Sequence, residues 1–534
     1  MSVSGEAIAA NSAGHAAMKR GDKPAAEALF AKARKLAPDT DEFALNHAIA
    51  LNALDRPREA LAALTDRPGL DANPACWTTR GTAQRALGNR HDAASNFDRA
   101  LALQANRPTA LAGRAQVALE RGEPDALARF ERALAVRGTD PELWLGKAEA
   151  LAAAGRHAEA VALAEAIAAQ GPEWLPGLRL LAQLRLHQRA DGIDAVFQQA
   201  TAQSPKATQV WLEWARQLAG LDRYDDARRV VERALDQASA DTGLMLALAR
   251  YAGAAGDTQE AERLLAALPE DAGGALPERI RHDLRTGKLD AGQQKLDHAL
   301  AEAPSDIGLW ALQGLLWQAS GDARAAWLHG QDGLVALLPL HDADTVLPPA
   351  IARLHDLHNG ASLPLDQSLR GGTQTRGNLF DRTEPEFAAL RDAIAATLKA
   401  YRGGLPSRDN QHPLLRHRDA TWNISGSWSV RLAGGGDHHA SHIHPQGVIS
   451  SALYCELPPP EWAEPGDDPQ AGWIELGRPP VDLPLEVGPL ATLEPKAGWL
   501  ALFPSTLYHG TRPFPRGTRM TVAFDVTLRD GPIP

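Results

Sequence analysis

The sequence predicts a multidomain chain: an all-α solenoid of helical repeats followed by a jelly roll (double-stranded β-helix) with flanking helices. Three observations predict it. A phrase rich in Ala, Leu, Arg and Glu returns every 33 or 34 residues from about residue 5 to 330, and such a period marks stacked supersecondary units. After "WLHGQDGLVALLPLHDADTVLPP" alanine thins out, and Pro, Gly and short β-branched runs take over, the composition of strands joined by turns. The 534 residues also exceed what one hydrophobic core usually organises. The expected division is a repeat array over 1–330, a linker over 331–345 and a β-rich domain over 346–534.

Within the array, Trp77, Trp144 and Trp211 lie 67 residues apart, two repeats each time. Each opens a segment that runs apolar at helical spacing, breaks at a polar or Gly turn, and resumes, so the unit is helix-turn-helix. In "PACWTTRGTAQRALGNRHDAASNFDRAL" the packing positions are Trp77, Gly81, Ala93 and Ala100, and "TQVWLEWARQLAGLDRYDDARRVVERAL" repeats them as Trp211, Ala215, Ala227 and Ala234. Small residues there let helices approach closely while the bulky residue fills the gap between neighbours. This pattern resembles the tetratricopeptide repeat, in about nine or ten copies, of which those near 175–207 and 272–306 are degenerate. Such an array implies a protein or peptide ligand held on the first helices of the pairs, or else a scaffolding role; no residue names the ligand.

In the C-terminal part, "EPEFAALRDAIAATLKAY" at 384–401 predicts a helix, opened by acidic residues and closed by "RGG". Strands are expected at 427–433, 438–444, 448–456, 472–476, 498–503, 507–512 and 518–528, enough short strands for a sandwich or barrel of the jelly-roll kind. Side chains alternate faces along a strand, so His442 and His444 in "SHIHP" point one way and Ile443 the other. His509 in "LFPSTLYHGTRPF" is the third candidate metal ligand. Three ligands on one barrel face leave coordination positions open, as non-haem Fe(II) oxygenases require. Ten residues on, Arg519 in "GTRMTVAF" offers a planar fork for the carboxylate of a 2-oxoacid, and Thr521 shares its face. Plainer roles compete: His438 and His439 as ordinary hydrogen-bonded histidines, His509 packed under "FPS", Arg519 paired with Asp525, Thr521 as a common strand residue.

The segments "SLRGGTQTRGNLF", "GSWSVRL", "HIHPQGVISSALYCELP" and "PKAGWLALFPSTLYHGTRPFPRGTRMTVAFDV" resemble a bacterial family of 2-oxoglutarate- and Fe(II)-dependent oxygenases, over about 190 residues. The resemblance implies Fe(II) held by His442 and the distal His509, with Arg519 on the far carboxylate of 2-oxoglutarate. His444 stands where the wider superfamily has a carboxylate, which adds one positive charge to the site and alters its redox tuning. Three arrangements stay open: His444 ligates; His442 and His509 act with solvent; or Asp437 or Glu456 swings in. Parity puts Asp437 opposite His442 and favours His444. The implied function is a dioxygenase that hydroxylates a protein or peptide, using 2-oxoglutarate and dioxygen. The alternatives are a repeat scaffold with an inactive barrel and a three-histidine dioxygenase that does not use 2-oxoglutarate.

Composition excludes other classes. A formal net charge of −11 disfavours nucleic acid. The N-terminus lacks a basic stretch followed by an apolar run, and no uncharged stretch reaches membrane-spanning length, so a cytoplasmic protein without membrane attachment is expected. Two cysteines are too few for a disulfide framework or a cysteine zinc site, so any metal falls to His, Asp or Glu.

Overall fold

The structure is a computed structural model that describes residues 3–186, 192–238, 241–361, 363–365, 367–462 and 464–528. Two compact units divide the chain, residues 1–163 with 381–383 and residues 164–380 with 384–534. The last repeats therefore share a unit with the sheets.

From Gly5–Lys19 to Arg324–His329, twenty α-helices among the described residues follow one another in ten pairs. Aspartates start many of them: Asp22, Asp140, Asp241, Asp257 and Asp306 each accept a hydrogen bond from a backbone N–H of the first turn, satisfying a donor that has no partner within the helix. The small packing residues are buried, with Ala93, Ala100, Ala215 and Ala227 fully excluded from solvent. At Gly81 and Gly113 a Cβ would lie 2.9 and 2.3 Å from the Phe97 ring; the helices approach there only because those positions lack a side chain. The recurrent tryptophan also does more than fill space. Trp77, Trp144 and Trp211 donate their indole N–H to the carbonyls of Asp71, Gly138 and Pro205, each six residues earlier, and Trp310 repeats the bond with Pro304. This fixes the turn that enters each of those helices. Trp310 lies 99 residues after Trp211, three repeats on and just past the degenerate copy near 272–306, so the tryptophan returns in phase beyond the first three members.

In the second unit the strands are β1 Ala336–Pro339, β2 Leu369–Arg370, β3 Thr373–Gln374, β4 Trp422–Gly434, β5 His438–His439, β6 Ile449–Glu456, β7 Ile474–Leu476, β8 Ala491–Leu493, β9 Trp499–Pro504, β10 His509–Thr511 and β11 Arg516–Leu528. They form an antiparallel six-stranded sheet in the order β1-β9-β6-β11-β4-β3, a three-stranded sheet β10-β7-β8, and a β2-β5 pair. β1 falls inside the stretch expected as a linker and supplies the edge beside β9. The helix expected at 384–401 spans Pro385–Gly404.

A second helix, Ala343–Asn359, went unread because Pro348 and Pro349 sit inside it and prolines read as a break. Its Leu347, Ala350 and Leu354 recur at helical spacing and join Phe387, Ile394 and Leu398 of Pro385–Gly404. Together they cover Leu453, Leu500, Leu502, Val522, Phe524 and Val526 of the large sheet. On the opposite face Tyr454, Ala501 and Phe503 of the large sheet meet Ile474 and Leu476 of the small one.

Candidate metal centre

Strand parity decides which residues can reach the space on that second face. Met520, Val522, Phe524 and Val526 of β11 enter the helix-covered core, so Arg519, Thr521, Ala523 and Asp525 face the other way. β4 sets Leu432, Val430 and Trp428 opposite Arg519, Thr521 and Ala523, and β6 sets Tyr454 opposite Thr521.

His442, His444 and His509 converge there, with one nitrogen of each within 4.8 Å of the others. Ring centroids are 4.3 Å apart for His442 and His509, 4.9 Å for His444 and His509, and 5.0 Å for His442 and His444. An isolated antiparallel bridge brings the loop to the small sheet: the His442 N–H donates to the His509 carbonyl at 3.0 Å, and the His509 N–H returns a bond of 2.9 Å. The approach is close, since a Cβ on Gly510 would lie 2.8 Å from the His439 carbonyl oxygen. The 438–444 stretch is therefore a two-residue strand and a bridged loop, shorter than the strand the alternation suggests; His442 and His444 still share a side, and Ile443 packs against the helical core around Leu312 and Leu316.

Each imidazole is oriented through Nδ1. His442 Nδ1 donates to the Ala440 carbonyl at 2.8 Å, His509 Nδ1 to the Leu507 carbonyl at 3.0 Å, and His444 Nδ1 to Asp525 Oδ1 at 2.5 Å. Carbonyls and carboxylates only accept, which puts the proton on Nδ1 and leaves Nε2 as a lone-pair donor, the tautomer suited to metal ligation. Burial, then the neighbouring His444, pushes the His442 pKa down to about 3, and burial first of all holds His509 well below the usual histidine range. Both rings are neutral at pH 7. Yet His442 Nε2 and His444 Nε2 lie 3.1 Å apart. Ligands of a single cation take about this separation, and His509 turns toward the same point, so the donor set fits a metal ion.

Arg519 is 3% exposed. Burial pushes its pKa down, its guanidinium lies 5.3 Å from the Tyr454 ring centroid, and its Nε has no hydrogen-bond partner. Among the described residues no carboxylate pairs with it within 4.0 Å. Asp525, a plausible partner from sequence, serves His444 instead. Thr521 is buried on the same face. The other carboxylates are engaged elsewhere: Asp437 accepts from the Ala433 N–H at 3.0 Å, and Glu456 pairs with His355 at 3.0 Å.

Sequence reasoning missed Ser368 and the parts that Asp525 and His439 play around the centre. Asp525 shares the face of Arg519 at even spacing along β11, a parity signal that was available. Ser368, from the loop before β2, places Oγ 3.2 Å from His442 Nε2 and 3.1 Å from His439 Nδ1; nothing local announces it. His439 stacks on His442 with centroids 6.0 Å apart, whereas His438 bonds the Gly436 carbonyl. Trp428 and Phe503 wall the site, 5.4 Å from His444 and 4.8 Å from His509 between centroids.

Comparison with known proteins agrees with this architecture. Residues 426–525 match the family described as "Putative 2OG-Fe(II) oxygenase", and residues 11–69, 78–126 and 124–184 match tetratricopeptide repeat families. The chain thus joins an N-terminal array of tetratricopeptide-like repeats to a sheet-rich region whose residues 426–525 match that oxygenase family. Among solved structures, a tetratricopeptide repeat protein from Parabacteroides merdae is similar, at 15% identity over 46% of this chain and 98% of its own, with a TM-score of 0.34. A thermophilic repeat protein from Thermus thermophilus is 24% identical over 34% of this chain and 99% of its own, with a TM-score of 0.29. Neither likeness carries an argument about function. No curated protein matches the chain. No helix among the described residues is long and apolar enough to cross a membrane.

Proposed function

We propose that the protein is an Fe(II)- and 2-oxoglutarate-dependent dioxygenase that hydroxylates a protein or peptide substrate, which the repeats help to present. The observation that carries this reading is the convergence of His442, His444 and His509, with Nε2 of His442 and His444 3.1 Å apart and one nitrogen of each ring within 4.8 Å of the others. Those three residues would hold Fe(II). The chemistry that iron and 2-oxoglutarate would supply with dioxygen as oxidant is hydroxylation of a substrate C–H bond, one oxygen atom entering that bond and the other the succinate formed from 2-oxoglutarate with loss of carbon dioxide.

The chain's own residues bind, orient and exclude water. Nδ1–H bonds to Ala440, Leu507 and Asp525 keep the three rings in one tautomer and aim. Arg519, buried and without a carboxylate partner, would receive the far carboxylate of 2-oxoglutarate, with Thr521 beside it; an unpaired buried guanidinium is costly unless a ligand anion completes it. Trp428, Tyr454 and Phe503 line the space with apolar surface, which keeps water from the reacting atoms. Tetratricopeptide repeats generally mediate contacts between proteins, which supports a polypeptide substrate.

Anaerobic titration of the protein with Fe(II) and then 2-oxoglutarate tests the reading. A metal-to-ligand charge-transfer band that is lost in Arg519→Ala is expected. Iron binding without a response to 2-oxoglutarate would point to a three-histidine dioxygenase of another kind, and absence of iron binding to a scaffold.

A further inference from the structure

Charge is distributed unevenly over the repeats of the second unit. Their first helices, Leu175–Leu186, Thr208–Ala219, Thr242–Ala254, Ala275–Arg285 and Ile307–Ser320, carry seven arginines against three carboxylates. Their second helices, Gly192–Gln203, Tyr224–Leu235, Thr258–Ala267, Leu289–Glu302 and Arg324–His329, carry nine carboxylates against six cations. In a chain of net charge −11, the first helices form a positive face.

The arginines on that face are arranged as a ladder. Glu213, 3% exposed, is gripped by Arg179 at 2.7 Å and Arg216 at 2.6 Å. Glu278, 1% exposed, is shared by Arg250 at 3.3 Å and Arg285 at 2.6 Å. Asp482 is shared in turn by Arg285 and Arg281. Each of these three carboxylates therefore serves two guanidiniums. The side chains of Arg179, Arg216 and Arg250 remain 48%, 43% and 51% exposed.

The ladder leads to the metal centre. Arg281 Nη1 lies 3.5 Å from the hydroxyl of Tyr508, the residue before His509. In the turn after Thr208–Ala219, Asp222 holds Arg370 at 2.5 and 2.8 Å, two residues beyond Ser368. One anchor, Asp222, follows the helix that carries Arg216, and the other, Arg281, lies on the next first helix after the one that carries Arg250.

We propose that Arg179, Arg216 and Arg250 form a docking strip for an acidic stretch of the polypeptide on which the metal centre acts. This rests on the peptide-substrate reading above and assigns that substrate its charge. Ion pairs that served stability alone would need no surplus of cations on one face. Half-exposed guanidiniums beside buried anions keep a field that reaches about one Debye length, roughly 8–10 Å, into solvent. A short acidic segment fits a field of that reach. An extended nucleic acid does not: the second helices would repel it, and Trp211, Trp214 and Tyr251, the aromatic residues on the three helices that carry Arg179, Arg216 and Arg250, are buried, which leaves no ring beside those arginines on which bases could stack.

The test uses the full chain without metal, so that its outcome is independent of the iron titration. A fluorescein-labelled decaglutamate peptide is titrated by anisotropy against decalysine and oligouridine of equal length. Decaglutamate is expected to bind, to weaken severalfold as salt rises, and to weaken about tenfold in Arg216→Gln/Arg250→Gln. Arg263→Gln, on a second helix, controls for net charge and is expected to leave binding unchanged. Absence of decaglutamate binding, an equal effect of Arg263→Gln, or tighter binding of decalysine or oligouridine would overturn the proposal. Should the double variant fold poorly by circular dichroism, Arg250→Gln alone carries the test, with a threefold loss expected and no loss refuting.

Discussion

Asp525→Ala isolates what the carboxylate behind His444 contributes. Asp525 Oδ1 accepts from His444 Nδ1 at 2.5 Å, with the two side chains 20% and 15% exposed, a charge-assisted hydrogen bond of the class that contributes about 1.5–3 kcal/mol. Without it, His444 can turn and can shift its proton to Nε2, and either change withdraws a ligand from the metal. Loss of an outer partner of this kind lowers metal affinity by roughly 10- to 100-fold, about 1.4–2.7 kcal/mol. Asp525→Asn, which keeps an acceptor and removes the charge, should fall between the wild type and Asp525→Ala. Anaerobic Fe(II) affinity, measured by competition with a calibrated chelator, reads the effect directly. Circular dichroism and thermal unfolding establish that the variant folds, as the β11 backbone pairing predicts, since that pairing does not use the carboxylate. A folded Asp525→Ala protein that binds Fe(II) within twofold of wild type would refute the argument that this hydrogen bond sets the ligand tautomer.

Three further outcomes are expected. His444→Asp, which places a carboxylate in the usual superfamily position, should weaken Fe(II) binding because Asp525 would then face a like charge; His444→Asp/Asp525→Asn should recover at least part of the loss, and equal affinity in the two variants would contradict this. His329 and His358 are buried and hydrogen-bonded to Thr506, Thr373 and Ser429, and burial pushes both down to about 3. Because the unfolded chain takes up these protons below about pH 6.5 and the folded chain does not, stability is present above that pH and is lost as pH falls toward 3; each should cost about 2 kcal/mol between pH 7 and 5, read as a fall in unfolding temperature that His358→Gln reduces. Trp211→Phe removes the 3.0 Å bond to the Pro205 carbonyl while keeping most of the ring, and should destabilise by about 1 kcal/mol in urea unfolding.

Local signals in the sequence suffice for much of this architecture. The repeat period places the helix pairs because each depends on neighbours at fixed separation, and Gly14 facing Phe30 is the same small-against-large packing as Gly81 facing Phe97. The three histidines were legible for a related reason. His442 and His444 differ by two positions, and the partners of His442 and His509, Ala440 and Leu507, lie two residues before each of them. The helix Ala343–Asn359 was hidden because its prolines contradict the local rule, and only burial of its apolar face against the large sheet overrides that.

By itself, then, the sequence determined the helical array, the strand-rich region and the identity of the converging histidines, since these follow from periodicity and short-range alternation. Only the tertiary structure decided the orientation of the His444 ring, through a carboxylate 81 residues away. It also placed Ser368 against His442 across 74 residues and tied Arg281 to Asp482 across 201. Such pairs carry no sequence period, because they are set by which surfaces pack when the sheets close and the last repeats dock against them.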